Sequence, residues 1–185
     1  MLARRFLFLL GSTRRSGNSE QLARAAAAAL VPPPMVEQRW LALIDHPLPA
    51  FADTRHDTGY TPPEGAARLL CEATLWATDL VIVSPVNWYS LSWPAKLYLD
   101  HWSAWMRRPE LAFADTLRGR ALWGVLVDSD TDGEGSADPV IDVLRRTAGY
   151  MAMQWRGALV GHANRPGEIA ADAAALAAAA RYFAA

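Results

Sequence analysis

The 185-residue sequence has one cysteine, a formal net charge of only −1, and few glycines and prolines, 12 of each. Each scarcity excludes something. The lone Cys71 removes an intramolecular disulfide, and its position in a helical stretch reads as a small buried hydrophobe in a reducing compartment, so the expected location is cytoplasmic. Near-neutrality, with a sequence pI of about 6.4 and scattered arginines, removes the electrostatic footprint of a nucleic-acid binder. No apolar span is long enough for a membrane helix, so no membrane partner is expected. Arg4-Arg5 ahead of Phe6–Leu10 has the outline of a twin-arginine export signal. The apolar run is too short for that, no small-residue cleavage site follows it, and it reads as a first β-strand. His46, His56, His101 and His162 show no metal-ligand spacing, so no metal is expected. Ser12 and Ser84 lack the G-x-S-x-G setting of a hydrolase nucleophile.

What the sequence has is hydrophobic material, 52% of positions, enough for one domain spanning 1–185. Short apolar runs alternate with longer helical patterns. The pairs are Phe6–Leu10 and Gln21–Leu30, Trp40–Ile44 and Glu64–Ala77, Leu80–Val83 and Pro94–Trp105, Ala121–Val127 and Val140–Met151, and Ala158–Val160 and Ala170–Phe183. Five strand-helix units predict an α/β fold with a parallel sheet covered on both faces. Thr61-Pro62-Pro63-Glu64 has the form of a capping box, Asp138-Pro139 that of a cap followed by proline, and Ser92 that of a cap for the third helix. That third helix carries an aromatic face, Tyr98, His101, Trp102 and Trp105, for which packing is the plain explanation. In a doubly wound sheet ligands bind at the carboxyl ends of the strands, so the loops to read are 11–18, 84–93 and 128–138.

The first loop offers Ser12, Thr13, Ser16, Asn18 and Ser19 as short donors, Arg14 and Arg15 as charge, and a helix start behind them. Unpaired amides and the helix dipole favour an anion there, with Asn18 or Ser19 as a simple helix cap the alternative. Neither the P-loop nor the G-x-G-x-x-G pattern is present. The second loop surrounds Asn87 and Ser90 with Trp88, Tyr89 and Trp93. Flat side chains beside free main-chain groups suit a planar aromatic ligand, although aromatics covering a sheet would read the same way. The third loop carries Asp128, Asp130, Asp132 and Glu134. Its D-x-D-x-D-G opening lacks the twelfth-position glutamate of a calcium loop, which here is Pro139.

Taken together, the first two loops resemble the flavodoxin-like NAD(P)H-dependent FMN reductase and quinone reductase family. The resemblance is carried by Gly11-Ser12-Thr13-Arg14-Arg15-Ser16-Gly17-Asn18-Ser19 and by Ser84-Pro85-Val86-Asn87-Trp88-Tyr89-Ser90 through Pro94-Ala95-Lys96-Leu97. It implies a three-layer sandwich with a five-stranded parallel sheet in the order 2-1-3-4-5. It implies FMN, its phosphate held by Ser12, Arg14, Ser16, Asn18 and Ser19 and its ring edge read by Pro85, Val86, Asn87, Trp88, Tyr89 and Ser90, with Gly133 approaching from the third loop. It further implies NADPH or NADH as co-substrate and hydride transfer through flavin N5 to a quinone, flavin, azo or nitro acceptor, with no side chain as obligatory acid or base. A homodimer or homotetramer is implied too, for which the aromatic third helix and the 45–61 loop offer surfaces. The acidity of the third loop departs from the family's glycine-rich pattern. The rival readings are an electron-transfer flavodoxin without nicotinamide activity and a flavin-free interaction domain.

Overall fold

The computed structural model describes residues 3–30, 35–130 and 133–184; Asp132 of the acidic loop lies outside them. The most continuously apolar runs become the inner strands of the sheet, because a parallel strand covered on both faces has no side left for water. These are β1 (Arg4–Leu10), β3 (Asp79–Asn87) and β5 (Ala121–Asp128), and every residue of β5 is buried. The outer strands β2 (Val36–Ala42) and β6 (Gln154–His162) expose polar positions. Five parallel strands lie in the order β2-β1-β3-β5-β6, and a two-residue β4 (Ser90–Leu91) pairs antiparallel with the end of β3. Without β4, this is the order that the family resemblance implies.

Alternate side chains of the strands feed two cores. Phe6, Phe8, Val81, Val83, Trp123 and Val125 pack against α1 (Asn18–Ala27) and α6 (Ala173–Tyr182). On the other face, Leu7, Leu9, Leu80, Ile82, Leu122 and Leu126 meet α2 (Gly65–Trp76), α3 (Trp93–Trp105), the short α4 (Phe113–Leu117) and α5 (Asp138–Tyr150). The buried carboxylate of Asp79 is paired: it accepts from Arg4 at 2.6 Å, Thr78 at 2.8 Å and the Trp123 indole at 3.1 Å. Cys71 is a small hydrophobe in the core, its thiol pushed up to about 12 by burial and by nearby Glu72. No helix among the described residues is long and apolar enough to cross a membrane.

Several helix starts differ from expectation. The Thr61–Glu64 capping box does not form: α2 begins at Gly65, and Glu64 makes no side-chain cap. Two consecutive prolines hold the preceding residues extended and delay the helix. Ala137, not Asp138, precedes α5, and Gly17 precedes α1, which starts at Asn18 instead of Gln21. The last helical pattern splits into a 3-10 turn (Glu168–Ala171) and α6.

One real cap is Asp172. Burial raises its pKa, but the amides of Ala175 and His162 outweigh burial and hold the carboxyl below its ordinary value. Such a group stabilises the fold above its unfolded pKa, and the contribution is lost as pH falls through the folded value. Asp172→Ala should therefore lose about 1 kcal/mol at neutral pH. In urea titrations the gap to the wild type should close below about pH 4, near the ordinary aspartate value.

Candidate functional site

Reversal of strand order occurs between β1 and β3, and the two strand ends are tied together there. Gly11 donates its amide to the Val83 carbonyl at 2.7 Å. The hydroxyl of Ser92 donates to the Gly11 carbonyl at 2.7 Å, while its amide donates to the Ser84 hydroxyl at 3.0 Å. Ser92 precedes α3 without capping it, because its hydroxyl is spent on Gly11. A Cβ on Gly11 would stand 2.8 Å from both Ala95 Cβ and Ser92 Oγ, so only glycine allows this approach. Ser92→Ala should lose about 1 kcal/mol of stability and speed hydrogen exchange at the amides of residues 11–16, measurable by mass spectrometry.

Above this knot lies a cleft of about 290 Å³ built from four strand-end loops. Loop one contributes Ser12, Thr13, Arg14, Gly17, Asn18 and Ser19; the other walls are Pro85, Val86 and Asn87, then Val127, Asp128 and Ser129, then Ala163 and Asn164. At its floor the N-terminus of α1 carries no side-chain cap. Arg15 is bound to Asp45 at 3.0 Å, whereas the Arg14 guanidinium has no ion pair among the described residues. An uncapped helix start beside a guanidinium with no ion pair among the described residues favours an anion.

Adjoining the cleft, and sharing Val86, Asp128 and Ser129 with it, is a second pocket of about 360 Å³ between Trp88, Tyr89 and the loop Asp130, Glu134 and Ser136. Asn87 pairs with Ser90, leaving Trp88 and Tyr89 as a two-residue hairpin turn with φ of 50° and 59°. Such turns need positive φ at both positions and favour Asn-Gly. Two bulky side chains there store roughly 1–2 kcal/mol each. Trp88 is nevertheless 94% exposed and Tyr89 62%.

The expected site residues divide. Ser12, Arg14, Asn18, Ser19, Pro85, Val86 and Asn87 meet in the cleft, and Trp88 and Tyr89 in its neighbour. Ser16 does not join them: its left-handed backbone (φ 51°) turns it to the β2 side with Arg15 and Asp45, and its amide donates to Glu20 at 2.9 Å. The amide side chain of Asn18 joins the loop after β6 through Arg165 O and Gly167 N. Ser90 belongs to the β3–β4 pairing, and Gly133 (φ 75°) donates to Asp130; neither lines the cleft. The aromatic face of α3 is not an outer surface either. Tyr98, Trp102 and Trp105 are buried, and His101 is bonded to Pro49 O of the loop that covers it.

Two contributions were not expected. Ala163 and Asn164 make a fourth wall, signalled only by the Asn-x-Pro-Gly turn after the last strand. Asp128, 5% exposed, accepts from Ser136 Oγ at 2.9 Å and lies 2.6 Å from His162 Nδ1, fastening the acidic loop to β6.

A family model described as a flavodoxin-like fold matches residues 4–185. The chain belongs to this flavodoxin-like family. A curated relative of this flavodoxin-like chain, YwqN of Bacillus subtilis (strain 168), is named a candidate NAD(P)H-dependent FMN-containing oxidoreductase. The two are 28% identical over 173 residues, 92% of each chain. Among solved structures, the Trp repressor binding protein from Bacillus subtilis superposes with a TM-score of 0.72 at 23% identity, covering 97% of both chains. An FMN-dependent NADH-azoreductase from Bacillus anthracis str. Ames Ancestor, solved in complex with FMN, gives 0.65 at 13% identity, covering 97% of this chain and 98% of that one. At these identities the two structures speak for the fold.

Proposed function

We propose that this flavodoxin-like protein is an FMN-dependent NAD(P)H oxidoreductase of the quinone-reductase or azoreductase kind. The observation that carries the reading is the joining, in one cleft, of an uncapped α1 N-terminus and Arg14, which has no ion pair among the described residues, with the strand-end segment Pro85–Asn87. A phosphate monoester fits the first of these and the polar edge of a planar ring the second. The name of YwqN supports the same activity. FMN, when bound, would supply the redox chemistry, hydride transfer through N5 between NADH or NADPH and a quinone, flavin, azo or nitro acceptor.

The chain's own part is binding, orientation and electrostatics. The first-turn amides of α1, the hydroxyls of Ser12 and Thr13, and the Arg14 guanidinium hold the phosphate. Because Gly11 is locked to Val83 and Ser92, the phosphate end and the ring end keep a fixed spacing. Main-chain groups of 85–87 read the ring's polar edge, and Trp88 and Tyr89 offer flat faces for the second substrate. Assembly as a homodimer or homotetramer belongs to the same proposal, using the groove between α3 and α5, where Val143 and Tyr150 are exposed beside the partly buried Leu99 and Met106. The test is steady-state oxidation of NADPH and NADH by the FMN-loaded protein with a benzoquinone acceptor. Turnover with at least one nucleotide is expected, and none with either contradicts the reading.

A further inference from the structure

At the end of the sheet opposite the cleft, about 20 Å along β1 from Gly11, cations gather around one indole. In β1 Arg5 alternates with Leu7 and Leu9, and in β2 Arg39 precedes Leu41, so both side chains leave the sheet on the face that α2 covers. There they meet Trp76, the last residue of α2. The Arg39 guanidinium lies 3.9 Å from the ring centroid and that of Arg5 5.7 Å. Arg120, just ahead of β5, donates to the carbonyls of Leu75, at 2.6 Å, and Ala77, on either side of the indole in the chain. None of the three arginines has an ion pair among the described residues.

Their surroundings do not cancel this charge. An aromatic face orients a guanidinium and leaves it positive, and the carbonyls at the end of α2 account for Arg120 alone. Burial, and after it the charge of Arg5, hold Arg120 below the ordinary arginine value, so these two cations feel one another. The carboxylate opposite Arg5 in register, Glu37, has no ion pair among the described residues either. Arg4 differs: it leaves β1 on the other face and is neutralised by Asp79 at 2.6 Å.

We propose that Arg5, Arg39 and Arg120 form a binding site for an oligophosphate chain. Three cations gathered about one ring call for several negative charges packed closely together, which a di- or triphosphate carries and a single carboxylate does not. Because Arg39 is stacked over the indole, that face is closed to a nucleobase. The phosphate chain is therefore what is read, whether it comes free or on a nucleoside. The site is separate from the cleft and does not rest on what the cleft holds.

The test is calorimetric titration of the full chain, without added metal, with tripolyphosphate, ATP and inorganic phosphate. Tripolyphosphate is expected to bind about tenfold or more tighter than phosphate at low salt, with the gap narrowing as salt screens it, and ATP to bind within about threefold of tripolyphosphate. Arg5→Gln with Arg39→Gln should weaken tripolyphosphate by about tenfold or more, because two charge-assisted contacts are gone. Glu37→Gln, which removes a repelling charge and no contact, should tighten it. Arg14→Glu should leave it within about twofold of the wild type, since Arg14 belongs to the cleft. Tripolyphosphate bound no better than phosphate, an affinity untouched by the double substitution, one lost with Arg14→Glu, or ATP bound more than about tenfold tighter than tripolyphosphate would overturn the proposal. Flavin retention after desalting judges the cleft separately.

Discussion

Arg14→Glu is expected to raise the FMN dissociation constant by about 100-fold or more. A charge-assisted hydrogen bond contributes roughly 1.5–3 kcal/mol, and the reversed side chain adds repulsion beside an anion. Arg14 is exposed and has no ion pair among the described residues, so the fold loses nothing by the exchange. Thermal unfolding of the FMN-free variant should match that of the wild type. The neighbouring Arg15→Glu is the control. Arg15 is bound to Asp45 on the β2 side, so it should affect FMN much less. Riboflavin, which lacks the phosphate, should bind the wild type and Arg14→Glu nearly alike. Flavin fluorescence quenching measures all of these. An Arg14→Glu variant that binds FMN like the wild type would mean that the phosphate does not sit on α1.

The second large effect runs in the opposite direction for stability. Replacing Trp88-Tyr89 by Asn-Gly should stabilise the protein by about 2 kcal/mol, because both positions demand positive φ and the new residues adopt it with little strain. The exposed aromatics have little burial to lose. The same variant should lose much of its acceptor binding, since both flat faces are gone. Chemical denaturation gives the first quantity and acceptor KM the second. A variant that is less stable than the wild type would show that the turn is supported by packing of Trp88 and Tyr89 and is not strained for a ligand.

The fold was legible where side chains are buried on both faces of the sheet. β1 and β5 stand in the sequence as unbroken apolar runs, and their predicted bounds fall within two residues of those observed. The outer strands were not legible to that degree. Glu37, Gln38 and Arg39 of β2 are exposed, so only its last apolar residues stood out, and β6 carries an irregularity opposite Leu122 and Gly124 that breaks its alternation. In the site, the residue types of the first two loops singled out Ser12, Arg14, Asn18, Ser19, Pro85, Val86 and Asn87, which the structure brings together in one cleft. Backbone direction, which composition does not encode, decided the rest. A positive φ takes Ser16 out of the cleft, and a bond to Gly11 takes the Ser92 hydroxyl away from its helix. Asp128 and His162 are 34 positions apart, and only the parallel register of β5 and β6 makes them partners.

The central claim is that the cleft holds FMN and that NADPH or NADH reduces it there. The most direct measurement is the visible absorption of the protein after incubation with FMN and desalting, followed by anaerobic addition of NADPH and then NADH. The account predicts retained flavin absorption that bleaches with at least one nucleotide. Protein that elutes without flavin, or flavin that stays oxidised with both nucleotides, would contradict it.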